Sequence, residues 1–168
     1  MAGLVDASTV RLGVDDGFVG LVGEAMRGDV FAPDVPAGLR WMAPAEGFVE
    51  LKCPSDVIRS RVRVEYWDGA SPTDDRVWSG REETEIYFPG GELCVYSGND
   101  RRTVQVAVPD SGRYRVRMTW TFNPDTGPYF SPYPDGPEIL ETPPGHEADL
   151  DGADCYCLMQ IWPAASAS

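Results

Sequence analysis

The sequence predicts an all-β protein: an antiparallel, two-sheet β-sandwich of about eight strands, with a long Pro-rich acidic loop before the last strand. Three features support this fold class. Apolar and polar residues alternate over many short stretches, which is the pattern of a strand with one buried face. Gly and Pro contribute 18 and 15 of the 168 residues and separate these stretches, and no segment keeps a helical period. Two sheets that are each apolar on one face stabilise each other by packing those faces together.

The first third of the chain contains predicted strands at Ser8–Val14, Phe18–Val22 and Gly47–Cys53. The last of these alternates, because apolar and charged residues follow each other in turn from Val49 to Cys53. We expect the three stretches to be joined by turns that are rich in Gly and Pro.

The middle third is the clearest β region and balances its charges, since residues 58–123 contain ten acidic and ten basic residues. In Arg59–Tyr66 and Arg113–Phe122, the arginines share one face and the apolar side chains share the other. We expect the arginine faces to be neutralised by acids on neighbouring strands, such as Glu83 and Glu85, rather than to bind anions. The remaining predicted strands are Glu83–Phe88, Glu92–Tyr96 and Thr103–Val108, with turns at Pro89–Gly91 and Pro109–Gly112.

The last predicted strand, Asp154–Trp162, is rich in apolar residues and ends at Pro163. Cys155 and Cys157 are separated by one residue, so their side chains point to the same face and are too far apart for a relaxed disulfide. The sequence has four cysteines and no C-x-x-C pair, which argues against a zinc site. We therefore expect the cysteines to be reduced structural thiols.

Residues 124–152 form a long Pro-rich segment, here called the acidic loop. It contains seven prolines, and residues 124–168 carry eight acidic residues and neither Lys nor Arg. Its aromatic residues are Tyr129, Phe130 and Tyr133. Loops of this length in compact proteins are usually either functional or disordered. The acidic loop is therefore open to two interpretations: a mobile, solvated loop, or a partner-binding loop with aromatic anchors.

Bulk composition argues against several function classes. A formal net charge of −13 and a pI of about 4.3 leave no basic stripe for phosphate, so we expect no direct binding of nucleic acid. No stretch is apolar for long enough to span a membrane, and the N-terminus lacks the basic start and apolar run of a secretory signal. We expect a cytoplasmic protein in which residues 1–168 form a single domain. Composition does not indicate an oligomeric state.

Signals for catalysis and metal binding are weak. His146 is the only histidine; no G-x-S-x-G motif accompanies it, and we expect it to be exposed in the acidic loop. Asp149–Asp154 resembles the start of a calcium-binding loop, although its glycine comes too early for an EF-hand and a turn before the last strand is the alternative. We expect no catalytic residue, no metal and no cofactor. Carboxylate pairs for glycoside hydrolysis would be Glu83 with Glu85 or Glu50 with Glu65.

Five stretches of the chain together carry a family resemblance. They are Phe18–Val19, Phe48–Leu51, Tyr87–Gly91, Val106–Val116 and Tyr156–Trp162. The most recognisable part reads Val-Pro-x-x-Gly-x-Tyr-x-Val and begins at Val108. In this order the stretches resemble the competence protein J (ComJ) type of small bacterial β-sandwich. The resemblance implies a sandwich that inhibits a DNA-degrading nuclease and has no catalytic residues.

This resemblance and the uneven charge predict an inhibitor or immunity protein that neutralises a basic partner such as a nuclease or toxin. An acidic protein can occupy the basic groove in which a nuclease holds phosphate, and charge complementarity speeds the encounter. The alternative is a small-molecule or carbohydrate-binding β-sandwich that uses Trp67 or Trp78. The predicted contact residues all lie in the acidic loop: Asp125, Tyr129, Phe130, Tyr133, Asp135, Glu138, Glu141 and Asp149.

Overall fold

The computed structural model describes residues 1–24, 26 and 34–165, and the regular elements within them are β-strands. In this part of the chain, no helix is long and apolar enough to cross a membrane. The strands in chain order are β1 Leu4–Gly13, β2 Phe18–Gly23, β3 Met42–Ala45, β4 Phe48–Lys52, β5 Arg59–Trp67, β6 Gly80–Phe88, β7 Gly91–Ser97, β8 Asp100–Val108, β9 Gly112–Phe122 and β10 Cys155–Pro163.

These strands form two five-stranded sheets that pack face to face. Sheet A has the order β1-β5-β10-β9-β6, and sheet B has the order β3-β4-β2-β7-β8. Alternate residues of the strands point into the space between the sheets, where they form one continuous apolar core. Leu21, Val62, Met118, Trp120 and Ile161 are typical of it, each at most 1% exposed. The all-β, two-sheet fold that alternation predicts is confirmed.

The described residues contain ten strands rather than about eight. Nine of them overlap the stretches named above, and β3 is the one that alternation does not predict. It has four residues and includes Pro44. Proline cannot donate a ladder hydrogen bond and is found on edge strands, and β3 is the edge of sheet B. The carboxylate of Glu82 in β6 accepts hydrogen bonds from the backbone N–H groups of residues 40–42 at 2.8 to 3.1 Å. The position of β3 is therefore stabilised by a contact from the other sheet.

The last strand departs from the predicted antiparallel pattern. β10 lies in the centre of sheet A, antiparallel to β9 and parallel to β5. Sheet A is therefore mixed, because β10, which comes from the end of the chain, is parallel to one of its two neighbours. Since β9 and β10 are neighbours, the acidic loop leaves and rejoins the sheet at paired positions, Phe122 and Cys155.

The outer face of sheet A carries a row of polar side chains across four strands, here called the charge ladder: Glu65, Gln160, Arg117 and Glu83. Gln160 donates a hydrogen bond to Glu65 at 3.0 Å. Arg117 lies 3.1 Å from Glu83 and 3.5 Å from Gln160, and its guanidinium group sits 4.9 Å from the ring centre of Trp162. The ladder links β5, β10, β9 and β6 on the face that points away from the core.

The four cysteines are free thiols. Cys155 and Cys157 point into the core from the same face of β10, as the spacing predicts, and each is at most 1% exposed. Burial raises the pKa of the Cys157 thiol, and a hydrogen bond with Cys53 together with burial raises the pKa of Cys155. Thiols with raised pKa values stay protonated and react slowly, so these residues act as small apolar core side chains.

Candidate partner-binding loop

The acidic loop is attached to the sandwich by buried side chains spaced along it. Tyr129, Leu140, His146 and Leu150 are each no more than 9% exposed. The ring of Tyr129 packs on Phe122 with the ring centres 5.2 Å apart. Burial of each large apolar side chain contributes about 1.5–3 kcal/mol. These attachments divide the loop into a tip, residues 129–140, and a base, residues 143–152.

The tip is a short antiparallel bridge. The N–H of Leu140 donates to the carbonyl of Tyr129 at 2.9 Å, and the N–H of Ser131 donates to the carbonyl of Glu138 at 3.2 Å. Phe130 and Ile139 pair in this bridge and remain 45% and 55% exposed. Directly opposed residues of an antiparallel pair have Cβ atoms about 4.5–5.5 Å apart. The two side chains therefore form one exposed apolar patch.

Carboxylates on the same segment are also exposed. Asp125 precedes the tip, Asp135 and Glu138 lie within it, and Glu141 follows it. Asp135 is 3.4 Å from Arg40, and its side chain is 84% exposed. The other three form no ion pair with the residues that the structure describes. The tip thus combines an apolar patch with negative charge that the fold leaves largely unpaired.

Tyr133 fastens the tip to the chain that enters β3. Its ring meets the ring of Trp41 edge to face at 5.6 Å, and the guanidinium of Arg40 lies 5.9 Å from its centre. Burial raises the pKa of Tyr133. Its hydroxyl is buried and has no hydrogen-bond partner among the described residues. Tyr133 is therefore half-buried, and much of its ring is used inside the molecule.

His146 is buried at the loop base, which corrects the expectation of an exposed loop histidine. Its Nε2 donates to the backbone carbonyl of Val77 at 2.8 Å, and its ring packs on Trp78 with centres 4.3 Å apart. Trp78 also joins Leu150 and Tyr156 in a small apolar cluster on the outer face of sheet A. The partners of His146 come from a segment 69 residues earlier, so local sequence does not indicate its burial.

Asp149 takes part in an ion-pair network at the loop base. Arg76 lies 2.7 Å from Asp149 and 2.7 Å from Asp74, and Asp149 is 3.5 Å from Nδ1 of His146. Hydrogen bonds from Arg76 lower the pKa of Asp74 to about 2. The side chain of Asp149 is 24% exposed. Its charge is therefore used mainly to hold the base against the segment that precedes β6.

A cavity of about 250 Å³ opens between the loop base and the end of β9. Three acids line it, Asp125, Glu147 and Asp151, and all three are exposed. Hydrogen bonds from its own backbone N–H and from that of Gly145 lower the pKa of Glu147. The cavity therefore extends the negative surface from the region of the tip to the base.

The predicted contact residues fall into three groups. Asp125, Phe130, Asp135, Glu138 and Glu141 are exposed, Tyr133 and Asp149 are half-buried, and Tyr129 is fully buried. Tyr129 is therefore an anchor of the loop and offers no side-chain surface to a partner.

The structure adds Ile139, Glu147 and Asp151 to the exposed set. Ile139 has a sequence signal, because it is a large aliphatic residue among prolines and acids. Glu147 and Asp151 belong with Asp125 only through the folded path of the loop, since they share one cavity with it.

Of the carboxylate pairs considered for glycoside hydrolysis, one is divided between the two sheets and the other is paired with arginines. Glu50 and Glu65 lie on the outer faces of different sheets, and packed sheets are about 10 Å apart, so the two groups cannot flank one bond. Glu50 is buried, burial raises its pKa, and it accepts a hydrogen bond from Tyr96 at 3.0 Å. Glu83 and Glu85 form ion pairs with arginines of β9 at 2.9 to 3.3 Å. This confirms the expected neutralisation of that arginine face.

The carboxylates of the calcium-like segment do not converge. Asp154 is buried and accepts hydrogen bonds from Arg59 at 3.0 and 3.3 Å, Asp149 pairs with Arg76, and Asp151 faces the base cavity. Within residues 1–24, 26 and 34–165, no three potential metal ligands come together. The segment is a turn that leads into β10, which is the alternative that the sequence offered.

The tryptophans considered for ligand binding both make contacts within the fold. Trp78 packs between His146 and Tyr156, with ring centres 4.3 and 5.9 Å away. Trp67 is half-buried, and its indole N–H donates to Glu65 at 3.0 Å. These contacts do not favour the alternative of a carbohydrate platform, which needs an aromatic face free for the ligand.

Comparison with known protein families and with curated proteins finds no match. Among solved structures, the chain is similar to ComJ from Bacillus subtilis, the inhibitor of the DNA degrading activity of NucA. The two are 10% identical, the match covers 98% of this chain and 99% of ComJ, and the TM-score is 0.59. The product of crocagin biosynthetic gene J is also similar, at 16% identity, 94% and 97% coverage and a TM-score of 0.52. The resemblance to the ComJ type is confirmed at the level of the fold.

Proposed function

We propose that this chain is a non-catalytic binding protein that inhibits or neutralises a basic protein, with a nuclease or a toxin as the partner class. The observation that carries the proposal is the tip of the acidic loop. There, the exposed apolar pair Phe130 and Ile139 lies on the same segment as exposed acids, of which Glu138 forms no ion pair with the described residues and Asp135 lies 3.4 Å from Arg40. A surface of this composition suits a partner with a basic rim and an apolar pocket.

The apolar pair supplies the short-range part of such an interface. Phe130 and Ile139 are about half exposed in this structure, so a partner that covers them would bury additional apolar surface. A few large side chains near the centre of an interface usually contribute most of the binding energy. The backbone bridge between Tyr129 and Leu140 already orders this part of the loop. Less conformational entropy is therefore lost on binding than for a disordered segment.

The carboxylates supply the long-range part. Residues 124–168 carry no Lys or Arg, so the charge of the loop is neutralised only where other parts of the chain reach it, as Arg76 reaches Asp149. A one-sign surface attracts an oppositely charged partner and raises the association rate, most strongly at low salt. The base cavity can receive a cationic side chain beside Asp125, Glu147 and Asp151.

The structural neighbours support the class of function through the fold alone. ComJ is an inhibitor of a DNA-degrading activity, which agrees with a non-enzymatic inhibitor as the use of this fold. The second neighbour is the product of crocagin biosynthetic gene J, and that name states no activity. The proposal therefore depends on the acidic loop, because function resides in a site rather than in a fold.

The test measures cleavage of a fluorescent DNA duplex by each basic nuclease encoded near the gene for this chain, with increasing amounts of the purified chain. We expect saturable inhibition that weakens strongly at about 1 M salt, where the Debye length falls to about 3 Å. Phe130→Ala and Ile139→Ala should each raise the inhibition constant by about tenfold or more. Glu138→Lys should mainly lower the association rate.

Asp110→Lys is the matched control for Glu138→Lys, because Asp110 is an exposed acid in the turn between β8 and β9. That turn and the acidic loop lie at opposite ends of β9, which is about 34 Å long at about 3.4 Å per residue. Equal weakening by both charge reversals would show a net-charge effect and would remove the loop as the contact. Inhibition that none of the tip variants changes would contradict the proposal.

A further inference from the structure

At the end of the sandwich where β1 ends and β5 and β10 begin, three arginines line one small cavity. Arg11 comes from β1, Arg59 from β5 and Arg102 from β8, so both sheets contribute. The cavity measures about 270 Å³, slightly below the range of about 300–1,000 Å³ for sites of drug-sized ligands. In a chain with a net charge of −13, this concentration of arginines around a cavity is an exception.

Two of these arginines are partly neutralised. Arg59 donates from Nη2 and Nε to Asp154 at 3.0 and 3.3 Å, and Nε of Arg102 lies 2.9 Å from Asp100. Both arginine side chains are nevertheless 56% exposed. A guanidinium group has five N–H donors, so donors that the carboxylates do not use remain available beside the cavity.

Arg11 supplies positive charge that these carboxylates do not balance. It forms no ion pair with the part of the chain that the structure describes. It lies against Gly152, where a Cβ would be only 3.0 Å from Nη1 of Arg11. Gly152 has a φ of +67°, which also favours glycine. The glycine thus leaves space for the guanidinium beside the backbone at the cavity edge.

Ser60 also lines this cavity. Its side chain is on the core-facing side of β5, in register with Cys155, and a hydrogen bond with Ser60 lowers the pKa of the Cys155 thiol against the larger effect of burial. Ser60 therefore closes the inner wall of the cavity, and the arginines are the groups available to an anion.

We infer that the cavity, here called the arginine cavity, binds a small oxyanion of the phosphate class. Guanidinium groups bind phosphate through paired N–H bonds, and a tetrahedral dianion presents enough oxygens for donors that arrive from three strands. A planar carboxylate fills one guanidinium fork and matches the cavity less well. The inference does not depend on the tip of the acidic loop, because none of the tip residues lines this cavity; the arginine cavity shares only Gly152 with the base cavity.

The test is phosphorus NMR and thermal unfolding of the full chain with inorganic phosphate, compared with chloride and acetate at matched ionic strength. Phosphate is expected to broaden its own resonance and to raise the Tm, whereas chloride and acetate should do neither beyond their ionic-strength effect. Arg11→Gln should weaken phosphate binding by about tenfold or more. Arg113→Gln is the control, since Arg113 is an exposed arginine at the far end of sheet A that pairs with Glu85.

Adenosine monophosphate distinguishes the two sources of the phosphate group. Equal affinity for it and for inorganic phosphate assigns the cavity to the isolated anion, and affinity about tenfold higher assigns it to a nucleotide. Arg11→Lys covers the case in which Arg11→Gln fails to fold; it keeps the charge, loses the fork and should bind phosphate more weakly than the original chain. The inference would be overturned if phosphate raised the Tm of the original chain and of the folded Arg11 variant equally. It would also be overturned if phosphate and acetate raised the Tm of the original chain equally.

Discussion

The charge ladder of sheet A and the tip of the acidic loop both contain glutamates, but the contacts of these glutamates are opposite. In the ladder, Glu83 lies 3.1 Å from Arg117, and Glu65 accepts a hydrogen bond from Gln160 at 3.0 Å. At the tip, Glu138 is exposed and forms no ion pair with the described residues. Paired charge inside the fold connects strands, whereas unpaired charge on an anchored segment remains available to a partner. Net charge alone therefore indicates less about binding than the position of each acid.

The largest expected effect comes from removing the anchor that holds the tip in place. Tyr129→Ala should lower the free energy of unfolding by about 3–5 kcal/mol, because Tyr129 is fully buried against Phe122. Phe130→Ala, at the next position, should change it by no more than about 0.5 kcal/mol, since Phe130 is 45% exposed. Urea unfolding of both variants measures the difference. Similar losses at the two positions would mean that the tip is not anchored as described.

The ladder should show the next largest effect. Arg117→Ala removes the contact with Trp162 and the link between Gln160 and Glu83, although Glu83 keeps Arg115 at 3.3 Å, so we expect a loss of about 1–2 kcal/mol. Arg113→Ala is the matched change on the same strand; the Arg113 side chain is 74% exposed, and its loss should cost less than about 0.5 kcal/mol. Equilibrium denaturation separates the two. If the ion pairs of the ladder do not contribute to stability, the two variants will have the same free energy of unfolding.

A third expectation concerns the pH dependence of the paired acids at the loop base. The pKa of Asp74 is lowered to about 2 by Arg76, whereas an unfolded aspartate has a pKa of about 3.9. A lowered folded pKa means that this stabilisation is present above about pH 4 and is lost as the pH falls towards 2. Because the Asp74 side chain is 24% exposed, we expect a loss of about 1 kcal/mol rather than the full linkage value.

Urea unfolding at about pH 5 and about pH 2.5 tests this expectation when the original chain is compared with Asp74→Asn. The variant should lose less stability than the original chain between the two pH values, because it lacks the carboxylate that titrates. An identical pH dependence in both chains would show that the pairing with Arg76 contributes nothing measurable.

The smallest effect on stability is expected at the tip. Glu138→Lys should change the free energy of unfolding by no more than about 0.5 kcal/mol, because the side chain is exposed and unpaired in the described structure. Thermal and urea unfolding measure this change, in parallel with the inhibition assay. A stability loss comparable to that of Arg117→Ala would place Glu138 with the ladder residues and remove the contrast between the two regions.

Alternation in the sequence is sufficient to predict the strands whose two faces differ in polarity. In Arg113–Phe122, arginines and apolar residues alternate, and the strand β9 has its apolar side chains in the core and its arginines outside. This agreement arises because the side-chain direction in a strand has a period of two, which is a local property. The concentration of negative charge in residues 124–168 is likewise a property of the sequence, because these residues include eight acids and no Lys or Arg.

The tertiary structure alone decided which strands are neighbours and which loop residues are buried. β10 lies beside β5. The alternating pattern of a strand shows which face is buried but does not show which strand lies next to it. β3 depends on Glu82, and the burial of His146 depends on Val77, a partner 69 residues away. Tyr129 and Phe130 are adjacent in sequence, yet one is an anchor and the other is exposed. Such outcomes are set by contacts between distant segments, for which the local sequence pattern has no signal.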